Sequence, residues 1–331
     1  MPSLKSIAGE IGVSITTVSN ALNHKGKLSP RLRKRILSHA EKQNYQPSPH
    51  ARVLHGGRLK ILGMMIGSLH DGLAQGFFMG ADRAAMEFGY STILSVTSHV
   101  HHSASDMELH AVKHFDSLRI GGVLYLPIAD AEPSRIESLF KKSKLPFVLI
   151  YRRPPHDGSP AVVVDHRKGI QIGLAHLMEL HHRRIGIVYH RYYKGPELDI
   201  TKAVFQETCP GLEWNKWSAS VEDLDTLLKR KPTAIFAMSD DAAASIADAL
   251  AAREIDIPND ISLVGFRDTI VARSMRPKLT TVHVPADEIG YAAAKWLAQS
   301  LEAENPKTVA PIRLEIPPQL VVRQSTCMAR N

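Results

Sequence analysis

Apolar residues recur with helical spacing near the N-terminus. Three short stripes each place their apolar side chains on one helical face: Leu4, Ile7, Ala8 and Ile11; Val18, Ala21 and Leu22; and Leu32, Ile36, Leu37 and Ala40. Ser3 and Ser14 can cap the first two helices, and Pro30 suits the first turn of the third. Gly12 suits the left-handed turn that ends the first helix. The sequence therefore predicts three short N-terminal helices.

From Lys60 onward, short apolar runs alternate with amphipathic stretches. We expect one set of strands at 60–67, 91–96, 121–126 and 146–151, and a second set at 161–165, 184–190, 234–239 and 262–266. Helices are predicted between most of them, for example at 75–88, 132–142, 167–180 and 240–252. This alternation implies parallel sheets wound by right-handed crossovers. Two sets of strands suit an α/β body of two lobes with a cleft between them.

Positive charge is concentrated in the first 60 residues. They hold eleven Lys or Arg and two acids, a charge of +9, so the rest of the chain carries about −1 of the total +8. A basic head on a near-neutral body fits contact with a polyanion. From charge alone, a basic face that is simply solvated is as good an explanation as contact with a polyanion.

Other classes of protein are disfavoured by what the sequence lacks. No apolar run approaches the roughly 20 residues that cross a bilayer, and the N-terminus lacks a secretion signal. The two cysteines, Cys209 and Cys327, are far apart, so we expect a cytoplasmic protein without disulfides. The missing signal and the basic head also argue against a periplasmic-type binding protein.

An enzyme is the main competing interpretation. His99, His101 and His102 could suggest metal ligands, but they lack a carboxylate or cysteine partner in a segment that reads as a polar loop. No Gly-rich phosphate loop, nucleophile elbow or HExxH motif occurs. We therefore expect no catalytic residues, no cofactor and no metal site.

Several segments in order along the chain resemble the LacI/GalR family of bacterial repressors. Residues 7–23 (IAGEIGVSITTVSNALN) look like that family's helix-turn-helix signature. Further matches are 28–33 (LSPRLR), 44–47 (NYQP), 181–186 (HHRRIG), 260–266 (DISLVGF) and 277–282 (PKLTTV). The resemblance implies an all-α helix-turn-helix domain followed by a two-lobed, periplasmic-binding-protein-like α/β domain with three crossovers.

The resemblance also implies which residues contact DNA. In the second helix, Ile15, Thr16 and Asn20 would face base edges in the major groove. Phosphate-holding positions would be Ser14, Thr17 and Ser19, with Asn23 at the end of the helix. The alternatives from the residues alone are that Ser14 is only a helix cap and that Ile15 is buried.

Residues 50–54 resemble the family's hinge helix, which folds on the operator and wedges a leucine into the minor groove. Ala51 and Leu54 would make those contacts, Leu54 as the wedge. The alternative is a flexible linker between Pro47 and Gly57. Paired hinges imply a two-fold homodimer on a near-palindromic operator, with no additional tetramer contact.

The family's cleft usually binds a sugar, a purine or a similar small effector. Here the corresponding positions hold Tyr151, Arg152, His166, Ser239, Asp240 and Arg267. Arg152 and Arg267 stand where the family often has aspartate, and guanidinium groups prefer carboxylate or phosphate. Three hypotheses stay open: an anionic effector, an ordinary sugar, or a pocket that has decayed or pairs Arg267 with Asp240 or Asp268.

The predicted organisation has four parts. Residues 1–47 form the helix-turn-helix domain, and 48–57 form the hinge. Residues 58–159 with 286–316 form the first lobe, and 160–285 with 317–331 form the second. The expected function is that of a repressor whose operator affinity changes when an effector binds the cleft.

Overall fold

The computed structural model describes residues 3–22, 26–43, 57–69, 72–97, 103–127, 133–153, 158–190, 193, 195–303 and 309–330. The chain divides into two compact units, the head (Met1–Leu59) and the body (Lys60–Asn331). Within the described residues, no helix combines the length and the apolar character needed to cross a membrane.

The head contains the three helices that the apolar stripes predict: α1 (Leu4–Ile11), α2 (Ile15–Leu22) and α3 (Pro30–Lys42). Their shared core contains most of the predicted apolar faces, with these side chains buried: Ile7, Ala8, Ile11, Val18, Ala21, Ile36 and Ala40. Leu37, which the stripe predicts on the same face of α3, is not part of this core. Gly12 ends α1 with φ 77°, in the left-handed region. Ser29 caps α3, and Pro30 occupies its first turn, as predicted.

The body contains two six-stranded sheets in its described residues. The strands of the first sheet are β1 (Leu59–Ile66), β2 (Ser91–Val96), β3 (Ile120–Tyr125), β4 (Phe147–Tyr151), β5 (Ala161–Val164) and β11 (Arg313–Ile316). The second sheet is formed by β6 (Ile185–Tyr189), β7 (Ser218–Ser220), β8 (Ala234–Ala237), β9 (Ser262–Arg267), β10 (Thr280–His283) and β12 (Gln319–Val321). The strand orders are β11-β5-β4-β3-β1-β2 and β12-β10-β9-β8-β6-β7. Both sheets are largely parallel, with β12 antiparallel to β10.

Helices connect the strands and cover the sheets. Those of the first lobe are α4 (Ala74–Glu87), α5 (Ala104–Ser117), α6 (Pro133–Ser143) and α13 (Ala286–Glu302). The second lobe holds α7 (His166–Glu179), α8 (Pro196–Thr208), α9 (Trp214–Trp217), α10 (Leu224–Leu228), α11 (Asp240–Ala251) and α12 (Ile270–Ser274). Helices α4 and α13 pack closely because Gly80 and Gly290 each lie against the other helix's backbone, where a side chain would overlap it.

The prediction that residues 161–165 open the second set of strands is wrong. Strand β5 pairs with β4 on one side and β11 on the other, inside the first sheet. Its four residues are all buried, and a uniformly apolar run of this length fits the middle of either sheet. The chain crosses to the second lobe at Asp165, which caps α7. The other two crossings join β10 to α13 and β11 to β12, near the predicted places.

Candidate functional site

The first turn of α2 presents two side chains to solvent. Ile15 is 47% exposed and Thr16 is also exposed, whereas Val18 and Ala21 are buried in the head's core. The alternative that Ile15 is buried is therefore wrong. An exposed β-branched residue beside an exposed hydroxyl is a surface that can contact a groove of DNA.

The hydroxyls that flank this turn are joined to each other. Ser14 Oγ accepts a hydrogen bond from the Thr17 backbone N–H at 3.0 Å and lies 2.8 Å from Thr17 Oγ1. This contact confirms Ser14 as the cap of α2. A hydroxyl has both a donor and two acceptor sites, so this contact leaves capacity for a phosphate oxygen. Ser19, further along α2, is half-buried.

Asn20 lies beside the segment that leads from α2 to α3. A Cβ placed on Gly26 would be 3.2 Å from Asn20 Nδ2, so the amide is in contact with this turn. Arg33 Nη2 donates to Gly26 O at 3.2 Å and holds the same turn from α3. Three further predicted DNA contacts, Asn23, Ala51 and Leu54, lie outside the described residues, as do His99, His101 and His102.

The acid on α1 is engaged by α3. Glu10 Oε2 lies 2.6 Å from both His39 Nε2 and Gln43 Nε2, and the bond from Gln43 followed by that from His39 lowers the pKa of Glu10. Four cationic residues on α3 remain exposed: Arg31, Lys34, Arg35 and Lys42. The head therefore presents a largely cationic exterior, as contact with phosphates requires.

In the body, most of the predicted cleft residues lie at the carboxyl ends of parallel strands. Tyr151 ends β4 of the first lobe, and Arg267 ends β9 of the second. Both have left-handed backbones, with φ 72° and φ 109°. Such conformations are costly for residues other than glycine and concentrate at ligand sites. The carboxyl edge of an open parallel sheet is also where ligands are usually bound.

His166, the first residue of α7, is enclosed by aromatic rings from both lobes. Its ring meets Tyr151 edge-on at 4.8 Å and stacks on Phe266 at 6.0 Å with 8° between the planes. The side chain is buried, and neither ring nitrogen has a hydrogen-bond partner in the described part of the chain. Burial lowers the pKa of His166 to about 3, aided by Arg152, Arg267 and Arg153, so the imidazole is neutral at physiological pH.

Arg152 forms an ion pair between the lobes. Its Nε lies 3.3 Å from Oε1 of Glu197 in the first turn of α8, without the alignment of a hydrogen bond. Both side chains are largely withdrawn from water, which strengthens their attraction. The sequence did not indicate Glu197, because the segment 190–202 does not align with the family pattern. The only signal was Gly-Pro before an acid, which is typical of a helix start.

Ser239 and Asp240 form the start of α11. Ser239 Oγ accepts from the Ala242 backbone N–H at 3.1 Å. The two oxygens of Asp240 accept from Thr281 Oγ1 and from the Thr269 backbone N–H, each at 2.6 Å. Burial raises the pKa of Asp240 to about 6, although these hydrogen bonds lower it. These contacts account for both side chains without a ligand, and their predicted part in effector binding stays a prediction.

Asp268 is held by two arginines and a histidine of its own lobe. Its carboxylate lies 2.6 Å from Arg323, 3.1 Å from Arg273 and 3.3 Å from His283. Burial opposes ionisation, but the contacts with His283, Arg323 and Arg273 outweigh it and lower the pKa to about 2. Asp240 and Asp268 thus each have partners other than Arg267.

Two family models match the chain. Residues 3–48 match "Bacterial regulatory proteins, lacI family", and residues 174–326 match "Periplasmic binding protein-like domain". The first match covers the head helices, and the second covers most of the second lobe together with α13 and β11.

Relatives match along nearly the whole length of the chain. Catabolite control protein A of Priestia megaterium is 26% identical over 333 residues, covering 97% of this chain and 98% of its own. A crystal structure of the lac repressor dimer bound to operator and the anti-inducer ONPF is similar with a TM-score of 0.74 at 21% identity, covering 98% and 99% of the two chains. A complex of the transcriptional regulator CelR with cellobiose has a TM-score of 0.70 at 22% identity, covering 98% and 100%.

Proposed function

Because the chain belongs to the LacI family of bacterial transcriptional regulators, we propose that it is a repressor that binds a near-palindromic operator as a homodimer. Membership in this family makes it a DNA-binding regulator and not an enzyme. The proposal adds the mode of binding and its control by a small effector in the cleft. Its site of action is the cytoplasm, where operator DNA is found.

The first turn of α2 carries the proposal. Its exposed Ile15 and Thr16 stand on a helix of a basic head, in the position from which such helices reach base edges. Asn20 reads a base from the same helix, and Ser14, Thr17, Ser19 and Asn23 hold phosphates that fix its register. Ala51 and Leu54 complete the contact in the minor groove.

We propose four domain segments, and the pairing of β5 supports one of their boundaries. The helix-turn-helix domain takes residues 1–47 and the hinge takes 48–57. The first lobe takes 58–164 with 286–316, because β5 pairs inside the first sheet. The second lobe takes 165–285 with 317–331. Two copies of the chain place their hinges side by side on the two-fold axis of the operator.

The effector acts by linkage. A small molecule bound at Tyr151, Arg152, His166 and Arg267 touches both lobes, and so favours one arrangement of them over another. Any such preference changes the affinity for the operator through the paired hinges. The lac repressor dimer, with operator and an anti-inducer bound together, shows that a protein of this fold accommodates both ligands.

Selection of bound sequences from random DNA duplexes tests this function. The full chain is compared with a truncated chain that lacks residues 1–57. We expect the full chain alone to recover a near-palindromic motif. Recovery of no motif by either chain, or binding that merely collapses as salt rises, would show that the head is only a basic patch.

A further inference from the structure

Two arginines reach the effector cleft from opposite lobes. His166 is packed between Tyr151 of the first lobe and Phe266 of the second, and the next residue along each strand is an arginine, Arg152 or Arg267. Both guanidinium groups lie near enough to His166 to lower its pKa. His166 therefore lies in the positive field of arginines from both lobes.

His166 adds unused hydrogen-bonding capacity at the same place. It is more than nine-tenths buried, and no described residue pairs with either of its ring nitrogens. A buried polar group without a partner is costly, so it points to a ligand that supplies one. A neutral imidazole offers one N–H donor and one acceptor, and its N–H can donate to an oxyanion.

Three acids near these strand ends differ in their partners. Glu197 lies against Arg152, whereas Asp240 is bound by Thr281 and Thr269. Asp268 is bound by cations of the second lobe. The carboxylate of Glu197 is thus the group with which an incoming anion competes for Arg152.

We propose that the effector is a small metabolite carrying a carboxylate or phosphate group, which Arg152 and Arg267 hold between the lobes while His166 donates a hydrogen bond to it. This inference rests on the proposed function, because it takes the cleft as the effector site. Arginine forks match both oxyanions and bind them with charge-assisted hydrogen bonds. The anion displaces Glu197 from Arg152 when it binds.

This displacement gives the proposal a distinctive test. Removing Arg152 should weaken binding of an acid, whereas removing the charge of Glu197 should strengthen it. If the ion pair were purely structural, removing the charge of Glu197 would weaken acid binding, because loss of either partner would then disturb the cleft equally. The two substitutions therefore separate a competing carboxylate from a structural one.

Calorimetric titration of the full chain with matched probes measures this. The probes are ribose 5-phosphate against ribose, and gluconate against glucose, because each pair differs in its acidic group. We expect an acid to bind at least ten times more tightly than its neutral partner. R152Q and R267Q should each weaken acid binding by about tenfold or more, as expected for loss of a charged hydrogen bond. E197Q should strengthen it several-fold.

Arg253 supplies the matched control, since it forms an exposed pair with Asp225 away from the strand ends. R253Q removes one positive charge and should leave acid binding unchanged. If R152Q misfolds by circular dichroism, the double variant R152Q/E197Q replaces the whole ion pair by neutral amides and should still lack acid binding.

The proposal is overturned if the neutral sugars bind as tightly as the acids, if no acid binds, or if E197Q weakens acid binding as much as R152Q does. The operator selection is scored separately. A chain that binds acids with this pattern but selects no DNA would refute the regulator and keep the anion site. A chain that selects an operator but binds no acid would refute the anion site and keep the regulator.

Discussion

At the scale of single residues, α2 contains neighbouring apolar side chains in opposite environments. Val18 is completely buried in the head's core, whereas Ile15 is about half exposed one turn earlier. Burial explains Val18 fully through the hydrophobic effect. Exposure of Ile15 brings no such stabilisation, and we predict that its side chain contacts a thymine methyl group.

Replacing Ile15 by alanine should therefore separate DNA binding from stability. We expect I15A to change the free energy of unfolding by less than about 0.5 kcal/mol, as at most surface positions. Operator affinity should fall by about tenfold, measured by fluorescence anisotropy. V18A is the control, and it should cost about 1–3 kcal/mol of stability. An I15A variant as destabilised as V18A would contradict the assignment.

Asp240 illustrates how burial makes a residue sensitive to pH. Its folded pKa, about 6, lies above its ordinary value of 3.8. Because the folded pKa is raised, this carboxyl contributes stability below pH 4 and loses it as the pH rises through 6. The loss amounts to about 3 kcal/mol, since one pKa unit corresponds to about 1.4 kcal/mol.

D240N has no carboxyl group at this position, so comparing it with wild type isolates the contribution of Asp240 to the pH dependence of stability. The free energy of unfolding of wild type minus that of D240N should decrease between pH 4 and pH 7, measured by urea denaturation across this range. Other titrating groups are common to both proteins and cancel. A difference that stays flat or increases with pH would show that Asp240 is ionised in the folded protein over the whole range.

At the scale of elements, the turn between α1 and α2 depends on one backbone conformation. Gly12 has φ 77°, and apart from its two chain neighbours no described residue lies within 4 Å of the position that a Cβ would take, so a side chain there meets strain but no clash. Gly9 lies inside α1 with equally open surroundings. The two glycines therefore differ only in the conformation that each requires.

The same substitution should have opposite effects at these positions. G12A should destabilise the head by about 1 kcal/mol, because alanine disfavours the left-handed region. G9A should stabilise it by up to about 1 kcal/mol, because alanine is a better helix former. Thermal unfolding followed by circular dichroism measures both. Equal effects of the two substitutions would contradict this account of the turn.

Strands with apolar runs could be predicted from the sequence, and short strands that contain polar residues could not. All eight predicted strands exist; seven contain a buried apolar run, and β2 is a half-buried apolar strand. Four others were missed: β7, β10, β11 and β12. Strand β10 begins with two buried threonines, and β11 alternates charged residues that are exposed. Their pairing is set by neighbours distant in sequence, which local patterns do not encode.

The same limit applies to the cleft. The resemblance located Tyr151, Arg152, His166 and Arg267 because each follows, ends or begins a recognisable element. It could not locate Glu197, whose segment departs from the family pattern, although this residue faces Arg152. Nor could it show that Asp240 is held by a threonine 41 residues away. Contacts between distant segments decide which polar residues remain available to a ligand.

At the scale of the whole molecule, the ion pair of Arg152 and Glu197 crosses between the lobes. An anion that takes Arg152 from Glu197 and also binds Arg267 replaces one link between the lobes by another. The arrangement of the lobes that best fits the anion then differs in free energy from the one that the ion pair favours. A change of this kind is what couples a cleft to a distant DNA site.

Coupling of two binding sites must be reciprocal, which gives the final prediction. If a saturating acid probe changes operator affinity by some factor, saturating operator must change acid affinity by the same factor. We expect a factor of about 5 to 150, typical of allosteric proteins. Anisotropy measures the first effect, and calorimetry with and without operator DNA measures the second. R267Q should abolish both while retaining operator binding, because Arg267 lies in the body, outside the head that we propose binds DNA. Operator affinity that stays constant at saturating acid would mean that the cleft binds its ligand without controlling the head.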